Sequence, residues 1–129
     1  MIGIALMGAG RMARVHAKAI GAAGGRLVIV YDVVEAAAKS LASDNNASVA
    51  RNVDEALQHP DVDAVLVVTS SDTHVDLILR AVKAGKAVMC EKPLAPNLPD
   101  AQRCIDVLGD QASKVLLAFN RRFDSGHAA

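Results

Sequence analysis

Gly8-Ala9-Gly10-Arg11-Met12-Ala13 carries small side chains in the spacing G-x-G-x-x-A. That pattern suits a chain that must turn sharply and then lie against a diphosphate. Gly8 permits a tight strand-to-helix turn, Gly10 lets the main chain approach a pyrophosphate, and Ala13 keeps the next helix close to the sheet. Amide groups at the helix start, in the turn shared by Arg11 and Met12, then face the anion at the positive end of the helix dipole. Glycines at this place also serve a plain turn, so the motif gains weight from a second residue, Asp32. It lies 22 residues after Gly10, at the end of an apolar run. A carboxylate there accepts hydrogen bonds from both hydroxyls of an adenosine ribose and repels a 2′-phosphate, which favours NAD over NADP.

Three further clusters have side chains suited to chemistry. Thr69-Ser70-Ser71-Asp72-Thr73-His74 offers hydroxyls and helix-start amides, either to a cofactor's phosphate and ribose or to the cap of a helix. His74 in that first turn reads as a packed or capping histidine. Glu91-Lys92-Pro93 sets a lysine just past a buried strand. Desolvation there disfavours the ammonium, and such a lysine can polarise or help deprotonate a substrate hydroxyl. Pro93 would fix the turn that aims Lys92, and a cis bond is open to it. On spacing alone, a surface lysine in a proline-bounded loop is the plainer reading. Asn120-Arg121-Arg122-Phe123-Asp124 suits a carboxamide, polyol or carboxylate, or is a charged turn at a domain edge. His16, His59 and His127 show no partner pattern and read as structural or solvated. Met7 and Met12 read as core fillers.

The elements that must position these residues come from periodicity. Strands are expected over residues 2–7, 27–31, 48–50, 64–68, 87–90 and 114–119. Between them, helical spacing places Met12, Val15, Ala19 and Ile20 on one buried face. Val34, Ala37, Ala38, Leu41 and Ala42 form a second. A short helix is expected over 54–58. Ser71-Asp72 is expected to cap a helix that buries Val75, Ile78, Leu79 and Val82. After a loop holding Pro96 and Pro99, a helix over about 100–108 buries Ala101, Cys104, Ile105 and Leu108. Strict alternation of strand and helix predicts right-handed crossovers and a parallel α/β sheet, doubly wound in the order 3-2-1-4-5-6 of a Rossmann fold. Each of these clusters then falls at the carboxyl end of a strand, where such sheets bind ligands.

Composition agrees. The 129 residues make one domain's worth of chain, 52% hydrophobic and nearly free of aromatics, which suits buried strands under closely packed helices. A net charge of zero leaves no footprint for nucleic acid or an anionic membrane. Cys90 and Cys104 lack metal-ligand spacing and read as reduced thiols of a cytoplasmic protein, with no metal site. The apolar amino terminus lacks a basic leader and reads as a first strand rather than a signal peptide. No apolar run approaches the roughly 20 residues of a membrane span.

In order and spacing, the glycine turn with His16, Asp61-Val62-Asp63-Ala64-Val65, Asp72-Thr73-His74, Ala84-Gly85-Lys86, Glu91-Lys92-Pro93-Leu94 and Phe119-Asn120-Arg121-Arg122-Phe123-Asp124 resemble the amino-terminal half of the Gfo/Idh/MocA family of nicotinamide-dependent oxidoreductases. The resemblance covers nearly the whole chain. It implies hydride transfer between NAD and a hydroxyl of a polyol or sugar, with myo-inositol favoured. Lys92 would be catalytic, and Glu91 would support the nicotinamide side of the pocket. Gly8, Gly10, Arg11 and Met12 would hold the pyrophosphate, and Asp32 the ribose. Thr69, Ser70, Ser71, Thr73 and His74 would line the cofactor groove, and Asn120 and Arg121 would border nicotinamide and substrate. Family members also carry a second domain, which supplies an aspartate and a histidine, most of the substrate pocket and an oligomer interface. The resemblance therefore implies that residues 1–129 are the cofactor-binding domain, turn over little alone, and expose an apolar patch near the sixth strand. A non-catalytic dinucleotide-binding or regulatory module, and a member using its cofactor for another reaction on a sugar, are the alternatives.

Overall fold

The computed structural model describes residues 1–118. Six strands, β1 (Gly3–Met7), β2 (Arg26–Tyr31), β3 (Ser48–Val49), β4 (Ala64–Val67), β5 (Ala87–Glu91) and β6 (Val115–Ala118), form one sheet in the order β3-β2-β1-β4-β5-β6. Every neighbouring pair is parallel. The expected order is thus observed, and β4 is central, paired with β1 on one side and β5 on the other.

Alternation along the strands divides the core into two layers, because successive side chains leave opposite faces of a sheet. Leu6, Leu27, Val30 and Leu66 meet α1 (Arg11–Ala22) and α2 (Glu35–Asp44) on one face. Ala5, Met7, Ile29, Val65, Val67, Val88 and Cys90 meet α3 (Val53–Leu57), α4 (His74–Lys83) and α5 (Leu98–Leu108) on the other.

The buried face of α1 keeps the expected Ile20 but otherwise differs from the expected one. Ala13, Ala17 and Ile20 face the sheet, while Met12 is 38% exposed and Val15 and Ala19 are exposed as well. The reason is distance. A helix that leaves a glycine turn lies too near the sheet to seat Met or Val, so alanine fills the interface. Val34 likewise lies outside α2, exposed. The expected cap at Ser71-Asp72 is replaced by a 3-10 turn over Ser71–Thr73, and no side chain caps either that turn or α4. α5 begins earlier than expected, because the Asn97 side chain accepts from the Asp100 amide at 2.9 Å and Pro99 fits the first turn, where no amide donor is needed. Its Ile105 is half-exposed rather than buried.

Gly3 has a steric duty that periodicity does not reveal. A Cβ there would lie 1.9 Å from the Asp61 carbonyl oxygen. The Gly3 amide donates to Asp63 Oδ2 at 2.8 Å and its carbonyl accepts from the Asp63 amide at 2.7 Å, which ties β1 to the segment leading into β4.

On the α1 and α2 face, the sheet beyond β4 is bare among the described residues. Met89 of β5 is 37% exposed and Leu116 of β6 is 60% exposed, beside a groove also lined by Ala64, Ala87, Ser113 and Lys114. This is the apolar patch expected near the sixth strand. No helix among the described residues is long and apolar enough to cross a membrane.

Candidate functional site

The strand order reverses between β1 and β4, and the candidate residues gather at the carboxyl ends around that point. After β1 the chain turns at Gly8, whose φ is +109°. A Cβ on Gly8 would lie 2.8 Å from the Val68 carbonyl oxygen, so conformation and space both require glycine. Gly10 precedes α1 and is exposed, and a Cβ there would enter open space. No side chain caps α1, so its first amide donors are left for an anion. Arg11 and Met12 are exposed on that first turn.

Asp32 follows β2 and is bound into the turn. Its Oδ2 accepts the Ala9 amide at 2.7 Å and its Oδ1 accepts the Val34 amide at 2.8 Å. Each oxygen keeps acceptor capacity for a hydroxyl donor. A turn with open space before Gly10, uncapped helix amides and a half-buried carboxylate beside them fits a dinucleotide: diphosphate at the helix start, diol at the acid.

Beyond β4, Thr69 Oγ1 lies 2.6 Å from Thr73 Oγ1, and Thr73 Oγ1 donates to the Ser70 carbonyl at 2.7 Å. The first hydroxyl therefore donates to the second, and the loop is held by its own threonines. Ser70 is exposed, and Ser71 is half-buried in the 3-10 turn. His74 is the packed histidine that its place in the first turn led one to expect, rather than part of the exposed groove wall that the resemblance implied. It is 1% exposed, with Nδ1 2.7 Å from the Pro93 carbonyl oxygen and Nε2 3.0 Å from that of Thr69. It stands between the loops that follow β4 and β5.

At the end of β5, Glu91 is 8% exposed, whereas Lys92 just after it is exposed and its bond to Pro93 is cis. The desolvation expected at Lys92 is not supplied by the described residues. Glu91 Oε1 is in direct hydrogen-bond contact with Nε2 of His16 on α1. This contact corrects the expectation that His16 has no partner. The signal for it in the sequence is its place on the true buried stripe with Ala13, Ala17 and Ile20, where a polar ring needs a partner. Asn120 and Arg121 lie outside the described residues. Among the described residues, no group of three or more His, Cys, Asp or Glu is placed to hold a metal ion.

Comparison with known proteins agrees with this fold. The model of the Gfo/Idh/MocA oxidoreductase family's NAD-binding Rossmann fold matches residues 2–119. Inositol 2-dehydrogenase of Rhizobium meliloti (strain 1021) is 45% identical over 120 residues, covering 92% of this chain and 36% of that protein. A crystal structure of a myo-inositol dehydrogenase from Corynebacterium glutamicum ATCC 13032 superposes with a TM-score of 0.91 at 41% identity, covering 97% of this chain and 38% of that one. One from Lactobacillus casei, in complex with NAD(H) and myo-inositol, superposes with a TM-score of 0.88 at 32% identity, covering 98% and 39%. The chain thus spans little more than a third of the length of each of these proteins.

Proposed function

The chain belongs to the Gfo/Idh/MocA oxidoreductase family and carries its NAD-binding Rossmann fold, and from that premise we propose that it serves an NAD-dependent dehydrogenase acting on a polyol or sugar hydroxyl, with myo-inositol the favoured substrate. The observation that carries this reading is the Glu91-Lys92-Pro93 turn at the end of β5, on the same edge of the sheet as the glycine turn and Asp32. A binding-only module has no need of a lysine there. The inositol-specific part rests on the similarity to proteins named inositol dehydrogenases.

Bound NAD would supply a hydride acceptor at its nicotinamide. The chain's own residues do the rest of what is proposed for this half of the site. The α1 amides and the Gly8–Gly10 turn hold the diphosphate, and Asp32 accepts from the ribose hydroxyls. Thr69, Ser70, Ser71 and Thr73 border the groove. Glu91, held by His16, backs the nicotinamide end. Lys92 hydrogen-bonds the reacting hydroxyl and takes part in removing its proton as the hydride departs. Residues 1–129 act as the cofactor-binding part and turn over little myo-inositol by themselves, because hydride transfer needs a substrate held in near-attack geometry.

Titration of the chain with NAD and with NADP tests the cofactor assignment. Tighter binding of NAD is expected, and tighter NADP binding would overturn the role given to Asp32. In a coupled assay with myo-inositol, steady-state NAD reduction at a rate typical of dehydrogenases by residues 1–129 alone would sink the proposed division of labour.

A further inference from the structure

His74 is a buried side chain that touches both loops on which the proposed chemistry rests. It opens α4, is 1% exposed, and has a main-chain carbonyl oxygen against each ring nitrogen. One of those carbonyls belongs to Pro93, the residue after Lys92; the other belongs to Thr69, in the groove loop after β4. A histidine kept only for packing needs one satisfied polar contact, and an apolar residue would fill the same volume without desolvating a ring.

We propose that His74 is a positioning residue: Nδ1–H donates to the Pro93 carbonyl at the end of β5 while Nε2–H donates to the Thr69 carbonyl at the end of β4, and together they fix Lys92 relative to the cofactor groove. This rests on the proposed roles of Lys92 and Thr69. The distances assign the stronger tie to Pro93, at 2.7 Å against 3.0 Å. Carbonyl oxygens only accept, so the two ties together require a proton on each ring nitrogen. The ring acts through its neighbours and, at 1% exposed, does not reach the substrate.

Two near-isosteric substitutions separate the ties. In His74→Asn the amide nitrogen stands near the position of Nδ1 and can still donate to Pro93. In His74→Gln it stands near Nε2 and can still donate to Thr69. NAD affinity, measured by calorimetry, reads the Thr69 side. The NMR signals of the Lys92 side chain, labelled with carbon-13, read the Pro93 side. The Gln variant is expected to keep NAD affinity within about threefold while the Lys92 signals shift. The Asn variant is expected to keep the Lys92 signals and to lose roughly tenfold in NAD affinity, the scale of one hydrogen bond. Equal effects of both variants on both readouts would overturn the proposal. So would nitrogen-15 spectra of the wild-type ring showing either nitrogen without its proton, a measurement that needs no variant to fold. Failure of the wild-type chain to bind NAD would instead remove the proposed function, and the ring spectra would still report the tie to Pro93.

Discussion

Cys90 shows how far a buried strand end can move a single group. The thiol is fully buried beneath α4 and α5, and burial, with smaller contributions from Glu91 and Cys104, pushes its pKa from 9.0 up to about 12. A thiol raised in the folded state keeps its proton where the unfolded chain loses it. Its contribution to stability is therefore complete below the unfolded value and is lost as pH rises from about 9 toward 12. Chemical denaturation across that window should show falling stability, with a shallower slope in Cys90→Ala, and Cys90 should resist thiol reagents at about pH 8 until the chain unfolds. A Gly8 substitution belongs at the same scale. Gly8→Ala places a Cβ 2.8 Å from the Val68 carbonyl oxygen at a φ of +109°, so a loss of about 1–3 kcal/mol and of measurable NAD binding is expected from denaturation and calorimetry. Gly8, Gly10 and Asp32 were legible as types and spacings. The His16–Glu91 contact was not, because it joins residues 75 positions apart and depends on which face of α1 turns inward.

At the scale of the element, α1 makes the sharpest test. Helical periodicity alone admits two stripes that share Ile20, Met12-Val15-Ala19-Ile20 and Ala13-Ala17-Ile20, and the larger side chains of the first make it the expected one. The close approach imposed by the glycine turn selects the second. Ala13→Leu should cost about 1–3 kcal/mol by overpacking, whereas Met12→Lys should change stability by no more than about 0.5 kcal/mol. Equal costs in thermal denaturation would contradict the orientation of the helix. Ile105 of α5 repeats the lesson: its spacing is that of the core, yet Cys104 and Leu108 are the residues buried.

For the molecule as a whole, the uneven cover of the sheet matters most. α3, α4 and α5 screen one face as far as β6, while the opposite face leaves Met89 and Leu116 open. The double variant Met89→Lys, Leu116→Lys should melt within about 2 °C of wild type, since neither side chain is buried, and should show less concentration-dependent association by sedimentation. A large drop in melting temperature would mean that the patch is core. The sequence by itself determined the alternation of strands and helices, the strand order and the grouping of the glycine turn, Asp32 and Lys92 at one edge, because chain connectivity and right-handed crossovers leave few other arrangements. Tertiary structure alone decided which face of α1 is buried, why Gly3 must be glycine, and that His16 touches Glu91 while His74 bridges the carbonyls of Thr69 and Pro93. Those features depend on distances between segments remote in sequence, and no local period encodes them.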